Sequence, residues 1–174
     1  MNPGDTIKIF YTIDQWQVED TTTITHFDGH YLYTCGHCFS NNAKTEYGKL
    51  LFTSGFDTVN EGLETAIIEV YPQYRSSFNI PNVIVKQIVP IKNKPVYMIY
   101  KGNKIHGTIA DQSIQLKNPI TKISSPFYLV KCNETMPGMS GSPWYYKNIL
   151  MGMHIGKTEG IVYVKPLKLY KIKF

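Results

Sequence analysis

Short β-branched and aromatic runs, broken every few residues by glycine, asparagine or proline, leave this chain little room for anything but an all-β fold. Such runs occupy residues 94–100, 105–110, 126–131, 149–155 and 160–164, and no long segment repeats its apolar residues with the period of an amphipathic helix. Residues 21–27 and 31–34 add two more, and the Asp28-Gly29 pair between them is a two-residue hairpin signal. Gly102-Asn103 separates another pair of runs in the same way. A chain of 174 residues buries a good core only as one compact unit, residues 1–174. Pro81 and Pro90 interrupt apolar runs within residues 79–93, which places any boundary inside that unit between 1–80 and 92–174.

The segment Gly138-Met139-Ser140-Gly141-Ser142-Pro143 has the composition of a loop that exposes a single serine. A serine hydroxyl is a poor nucleophile at neutral pH. It needs a base to take its proton and fixed donors to hold the oxyanion formed on attack. Gly138 lets the backbone turn so that the N–H groups of Gly138 and Ser140 converge, and Gly141 keeps the approach open. A Gly/Ser/Pro turn without chemistry has the same composition, so the base has to be found elsewhere.

Among the five histidines, His37 stands out, because Thr34-Cys35-Gly36-His37-Cys38 follows a strand signal. A strand end is where rigid scaffolds place catalytic groups. An acid must then orient the imidazole, and Glu64 enters the apolar run Thr65-Ala66-Ile67-Ile68, with Asp57 and Glu61 as alternatives a few residues upstream. His26, His30 and His106 have no comparable context and read as surface or hairpin residues.

These three segments resemble, in order, the T-A-G-H-C, D-x-A-L-L and G-D-S-G-G-P motifs of the chymotrypsin-fold proteases; here they read T-C-G-H-C, E-T-A-I-I and G-M-S-G-S-P. The resemblance implies two six-stranded antiparallel β-barrels, with His37 and Glu64 in the first, Ser140 in the second and the active site in the cleft between them. It implies Ser140 as nucleophile, His37 as general base and then acid, Glu64 as orienting carboxylate, and the N–H groups of Gly138 and Ser140 as the oxyanion hole. Glu64 departs from the aspartate of cellular relatives, although some viral relatives use glutamate. Met139 stands where trypsin-type enzymes carry the aspartate that pairs with a freshly cut N-terminus, so packing must hold the loop instead.

Specificity is suggested by Gly152-Met153-His154-Ile155-Gly156, which resembles the G-x-H-x-G of picornaviral 3C proteases and bacterial glutamyl endopeptidases, and by Thr135, five residues before Ser140. In those families the threonine and histidine bind the glutamine or glutamate that precedes the scissile bond. A hydroxyl and an imidazole N–H suit a carbonyl or carboxylate oxygen. Ile155, Gly156 and Lys157 would pair with the substrate backbone as an added strand. The competing residue is Glu134, six residues before Ser140, where an acid would select lysine or arginine. The alternative for His154 is a core histidine satisfied by a tyrosine hydroxyl. With serine as nucleophile, the pattern resembles the 3C-like serine proteases (main proteases) of arteriviruses, toroviruses, astroviruses and sobemoviruses, which implies processing of a viral polyprotein. The bacterial glutamyl endopeptidases are the alternative.

Cys35, Cys38 and Cys132 are odd in number and too few for a disulfide framework, and Thr22 occupies the place of the partner cysteine of secreted relatives. With no leader-like opening, the expectation is a protein of the reducing cytoplasm of an infected host cell, not a secreted one. C-x-x-C around His37 lacks further zinc ligands nearby, and no cofactor is expected. The net charge of +5 raises RNA as a partner, with Lys165, Lys168, Lys171 and Lys173 in the tail. Their apolar neighbours, from Leu167 to Phe174, point instead to a tail packed on the second lobe with a solvated lysine face. No aromatic-plus-basic RNA module is present, and no apolar run is long enough for a membrane span.

Overall fold

Alternation builds the first strand, β1 (Thr6–Ile13), which turns Ile7 and Ile9 inward and Lys8 outward. The computed structural model describes residues 1–35, 44–53, 65–117, 124–135, 138–167 and 169, without side chains at 52–53, 111–117 and 124–126. A tight turn with Asp14 in the left-handed region leads into β2 (Trp16–Phe27), which runs antiparallel to β1. The next turn spans three residues rather than the two expected. The Asp28 carboxylate accepts the N–H groups of His30 at 3.0 Å and Tyr31 at 2.7 Å, and β3 (Tyr31–Cys35) begins at Tyr31, where its run was expected.

Together with β4 (Gly48–Thr53) and β5 (Thr65–Val70), these strands form a curled sheet in the order β1-β2-β3-β5-β4. Among the described residues the first lobe shows these five strands as a curled half-barrel, and an antiparallel bridge between Phe10 and Lys44 ties β1 to the segment before β4. A short 3-10 helix (Pro72–Ser77) follows.

In the second lobe, β7 (Pro95–Tyr100), β8 (Asn103–Lys117), β9 (Ser124–Lys131), β12 (Ile161–Lys165), β11 (Ile149–Thr158) and β10 (Pro143–Tyr146) pair in that order, and β10 pairs back onto both β7 and β11. That ring closes a six-stranded antiparallel barrel. The two-residue β6 (Ile84–Val85) joins the edge of β11 in parallel, so the chain between the expected lobes is already seated on the second sheet. The β7–β8 turn falls on Lys101-Gly102, one residue before the expected pair, because these are the two residues with positive φ, 48° and 80°.

Each lobe has its own core, and a third apolar layer lies between them. In β5, Ala66, Ile68 and Val70 point into the first core, while Ile67 points the other way. In β3, Leu32 faces the first core and Tyr31, Tyr33 and Cys35 face out of it. Those outward residues pack with Tyr145, Leu150, Met153 and Leu167 of the second lobe. This is why both strands are apolar on two faces, and each large side chain so buried contributes about 1.5–3 kcal/mol. Leu167 and Leu169 dock the tail here. Lys165, expected on a solvated face, is 4 % exposed because its position on β12 pairs with the buried Met153 of β11. Lys168, Lys171 and Lys173 lie outside the described residues. His26 is also buried, beside Tyr33 and not at the surface. Burial lowers its pKa, opposed in part by Asp28. His30 stays half-buried at its hairpin, 3.1 Å from Glu69, and His106 is exposed.

Candidate active site between the lobes

The loop before β10 is a tight turn closed on one carbonyl: Ser142 donates to the Met139 oxygen through its N–H at 3.1 Å and its hydroxyl at 2.6 Å. Two backbone bonds then lash the loop to β11, Gly141 N–H to the His154 carbonyl and His154 N–H to the Ser142 carbonyl, both 2.8 Å. Met139 packs into the second core, so an apolar side chain anchors the loop. Gly138 and Gly141 both adopt φ of +94°, a conformation that disfavours any residue with a Cβ.

Gly141 has a second reason to be glycine, different from the open approach expected of it. A Cβ there would lie 2.5 Å from the carbonyl oxygen of Thr23 in β2. The loop of the second lobe is therefore pressed directly against the first. Thr25, also in β2, donates its hydroxyl to the Gly141 carbonyl across the same junction.

Ser140 is half-buried, and its Oγ donates to the Ile155 carbonyl at 3.0 Å. The register of β11 on β12 skips at Ile155, between the pairs His154–Val164 and Gly156–Tyr163, so this residue is a bulge. A carbonyl cannot remove the serine proton, so a nucleophilic Ser140 would have to rotate its hydroxyl toward a base. His37 and Glu64, with the alternatives Asp57 and Glu61, lie outside the described residues. What is described is where the chain leaves and re-enters the sheet. Cys35 pairs with Thr65, so the strand end two residues before His37 lies beside the strand start one residue after Glu64.

Thr135, Gly138, Ser140, His154, Gly156, Lys157 and Glu159 line one cavity of about 460 Å³. His154 is 2 % exposed, and its Nδ1 accepts the indole N–H of Trp144 at 3.1 Å. An accepting Nδ1 carries no proton, so the neutral ring bears its N–H on Nε2. The partner is thus a tryptophan, not the tyrosine hydroxyl considered from the sequence. Trp144 is fully buried and was not legible as a site residue. Thr135 is also buried, and its Oγ1 has no hydrogen-bond partner among the described residues. Such an atom costs stability unless a ligand satisfies it.

Lys157 reaches across from β11 and donates to the carbonyls of Asn133 and Thr135, each at 3.2 Å. Glu134 is exposed and lines a separate cavity with His106, Lys131, Cys132, Asn133, Glu159, Gly160 and Ile161. Beyond Met153, no described strand pairs with the second edge of β11, which leaves residues 155–158 open on that side. Among the described residues, no cluster of three or more His, Cys, Asp or Glu side chains has a metal-binding arrangement, and no helix is long and apolar enough to cross a membrane.

No protein-family model matches this sequence, and no characterised protein matches it significantly. Solved structures do match. Protease A of Thermobifida fusca aligns with a TM-score of 0.63 at 15% identity, covering 94% of this chain and 90% of that one. Cellulomonas bogoriensis chymotrypsin aligns at 0.61 and 17% identity, covering 83% of this chain and 82% of that one. A glutamic acid specific serine protease, which uses a histidine triad in substrate binding, aligns at 0.59 and 16% identity, covering 95% and 93%. The two-lobed architecture built above is therefore the chymotrypsin-like protease fold.

Proposed function

We propose that this chain is a serine endopeptidase that cleaves after glutamine or glutamate. Ser140 attacks the peptide carbonyl and His37, oriented by Glu64, takes its proton. The N–H groups of Gly138 and Ser140 hold the oxyanion, and water later releases the acyl-enzyme. The observation that carries the proposal is one cavity holding Ser140, the buried and unpartnered Thr135 hydroxyl, and a His154 ring whose tautomer Trp144 fixes. A hydroxyl and an imidazole N–H at one cavity fit the oxygen of a Gln or Glu side chain. The open edge at residues 155–158 supports pairing of Ile155, Gly156 and Lys157 with the substrate main chain. Glu134 opens into a different cavity, which weighs against selection of lysine or arginine.

For its setting, the motif pattern of 3C-like serine proteases supports processing of a viral polyprotein. The three cysteines, odd in number and too few for a disulfide framework, support a reducing compartment. The likeness to a glutamic acid specific protease favours a second reading, a glutamyl endopeptidase of bacterial type. Profiling with a mixed peptide library tests the activity. Cuts should follow Gln or Glu and disappear in Ser140→Ala, with the melting temperature retained. Cuts after Lys or Arg would transfer selection to Glu134, and normal cleavage by Ser140→Ala would end the proposal.

A further inference from the structure

Thr135 and His154 each offer a donor to an oxygen, and both glutamine and glutamate present one, so these two residues do not separate the two side chains. A third group at the same cavity does. Lys157 stands three residues beyond His154 on β11, and its ammonium is held between the carbonyls of Asn133 and Thr135 on the opposite wall. Two of its three N–H donors are accounted for there, which leaves one donor and the full charge.

Among the described residues that charge has no carboxylate partner within ion-pair distance. The ion pairs among the described residues are Lys8–Glu19 and His30–Glu69, and Glu159, which also lines the cavity, lies beyond ion-pair distance of Lys157. We propose that Lys157 makes this cavity selective for a carboxylate, so that the enzyme cleaves after glutamate in preference to glutamine; this rests on the reading that Ser140 cleaves after one or both. A bound glutamate supplies the missing counter-charge and accepts the third N–H in a charge-assisted bond. A bound glutamine supplies an uncharged oxygen and an amide NH₂ that meets a cation. The same cation repels lysine and arginine side chains, which adds a rejecting element to the attractive ones. Because Lys157 is exposed, salt screens its field, and the preference is of the order of tenfold, not thousandfold.

The test compares kcat/KM for two peptides that differ only in glutamate or glutamine before the scissile bond, at low and high salt. The wild-type protein should favour glutamate by roughly tenfold, less at high salt. Lys157→Met, which keeps the aliphatic stem, should bring the ratio to within about twofold of unity, mainly through KM for the glutamate peptide. Lys157→Arg should retain the preference, and all three proteins should melt alike. A wild-type ratio near one, or a ratio that survives Lys157→Met, overturns the role of Lys157 and leaves Ser140 proteolysis standing. Cleavage after neither residue overturns both.

Discussion

Gly138 and Gly141 share a backbone conformation, φ of +94°, but not an environment, and alanine at each separates strain from contact. An added Cβ at Gly138 meets nothing within 4 Å. At Gly141 it meets the Thr23 carbonyl oxygen at 2.5 Å, Thr34 Oγ1 at 3.2 Å and the Cys35 nitrogen at 3.4 Å. Gly138→Ala therefore costs the left-handed strain alone, about 1–2 kcal/mol. Gly141→Ala bears the same strain plus overpacking against β2 and β3, about 1–3 kcal/mol more. Displacing the loop also weakens the bond from Thr25 to the Gly141 carbonyl, worth about 1 kcal/mol. The total is about 3–6 kcal/mol. In a domain of this size each kcal/mol shifts Tm by roughly 2–4 °C. Gly141→Ala should then melt roughly 6–24 °C below the parent and Gly138→Ala only roughly 2–8 °C below it. If Gly138 belongs to the proposed oxyanion hole, activity should not follow stability, because Gly138 lines the cavity that holds Ser140. Loss of a well-placed oxyanion donor costs about 100-fold or more in kcat. Thermal denaturation with peptide hydrolysis, measured below both transitions, checks the pair. Equal melting losses would refute the claim that the first lobe dictates glycine at 141.

Trp144→Phe keeps most of the ring volume but removes the N–H that His154 Nδ1 accepts. The imidazole should then populate both tautomers, visible in its nitrogen chemical shifts, and discrimination against other side chains should fall. His26 gives a pH signature of opposite origin. Burial, its largest perturbation, lowers its folded pKa below the ordinary value of 6.5, so the unfolded chain binds the proton first. Stability is therefore fully present above pH 6.5 and is lost as the pH falls below it. His26→Phe, which preserves the ring packing on Tyr33, should flatten that part of the urea-midpoint profile; an unchanged slope would assign it to other groups.

The sequence made some of this legible because the signals were local. Residues 31–34 and 65–68 read as strands because every position is apolar, aromatic, β-branched or small, which the layer between the lobes demands. The glycines around Ser140 were visible because the turn needs a positive φ at two of its residues. Contacts set by register stayed hidden. Trp144 pairs with Gly152 across the β10–β11 ladder and meets His154 only on the diagonal, a relation that no spacing within the chain reveals. Thr25 sits in a run of threonines that reads as strand propensity and nothing more, yet its hydroxyl holds the loop from the other lobe. β8 was expected only over residues 105–110 because register shifts at Ile109–Asp111 and Asp111–Ile114 break the two-residue alternation beyond them.

His154 belongs to the cavity and to the loop by different atoms, and this separates selectivity from chemistry. Its side chain faces the cavity and takes the Trp144 N–H, whereas its backbone N–H and carbonyl bond the Ser142 carbonyl and the Gly141 N–H. Any side chain at this position preserves the two backbone bonds, so exchange of the imidazole acts first on what the cavity accepts. The position of Ser140 depends on a different set of restraints: those bonds, the Met139 anchor in the second core, and the seat of Gly141 against Thr23 and Thr25 of the first lobe. Because one of these restraints comes from the opposite lobe, the loop holds its two left-handed residues only while the lobes remain packed. The apolar layer of Tyr31, Tyr33, Ile67, Tyr145, Leu150 and Met153 is thus as much a condition for the geometry of the Ser140 loop as the glycines within it.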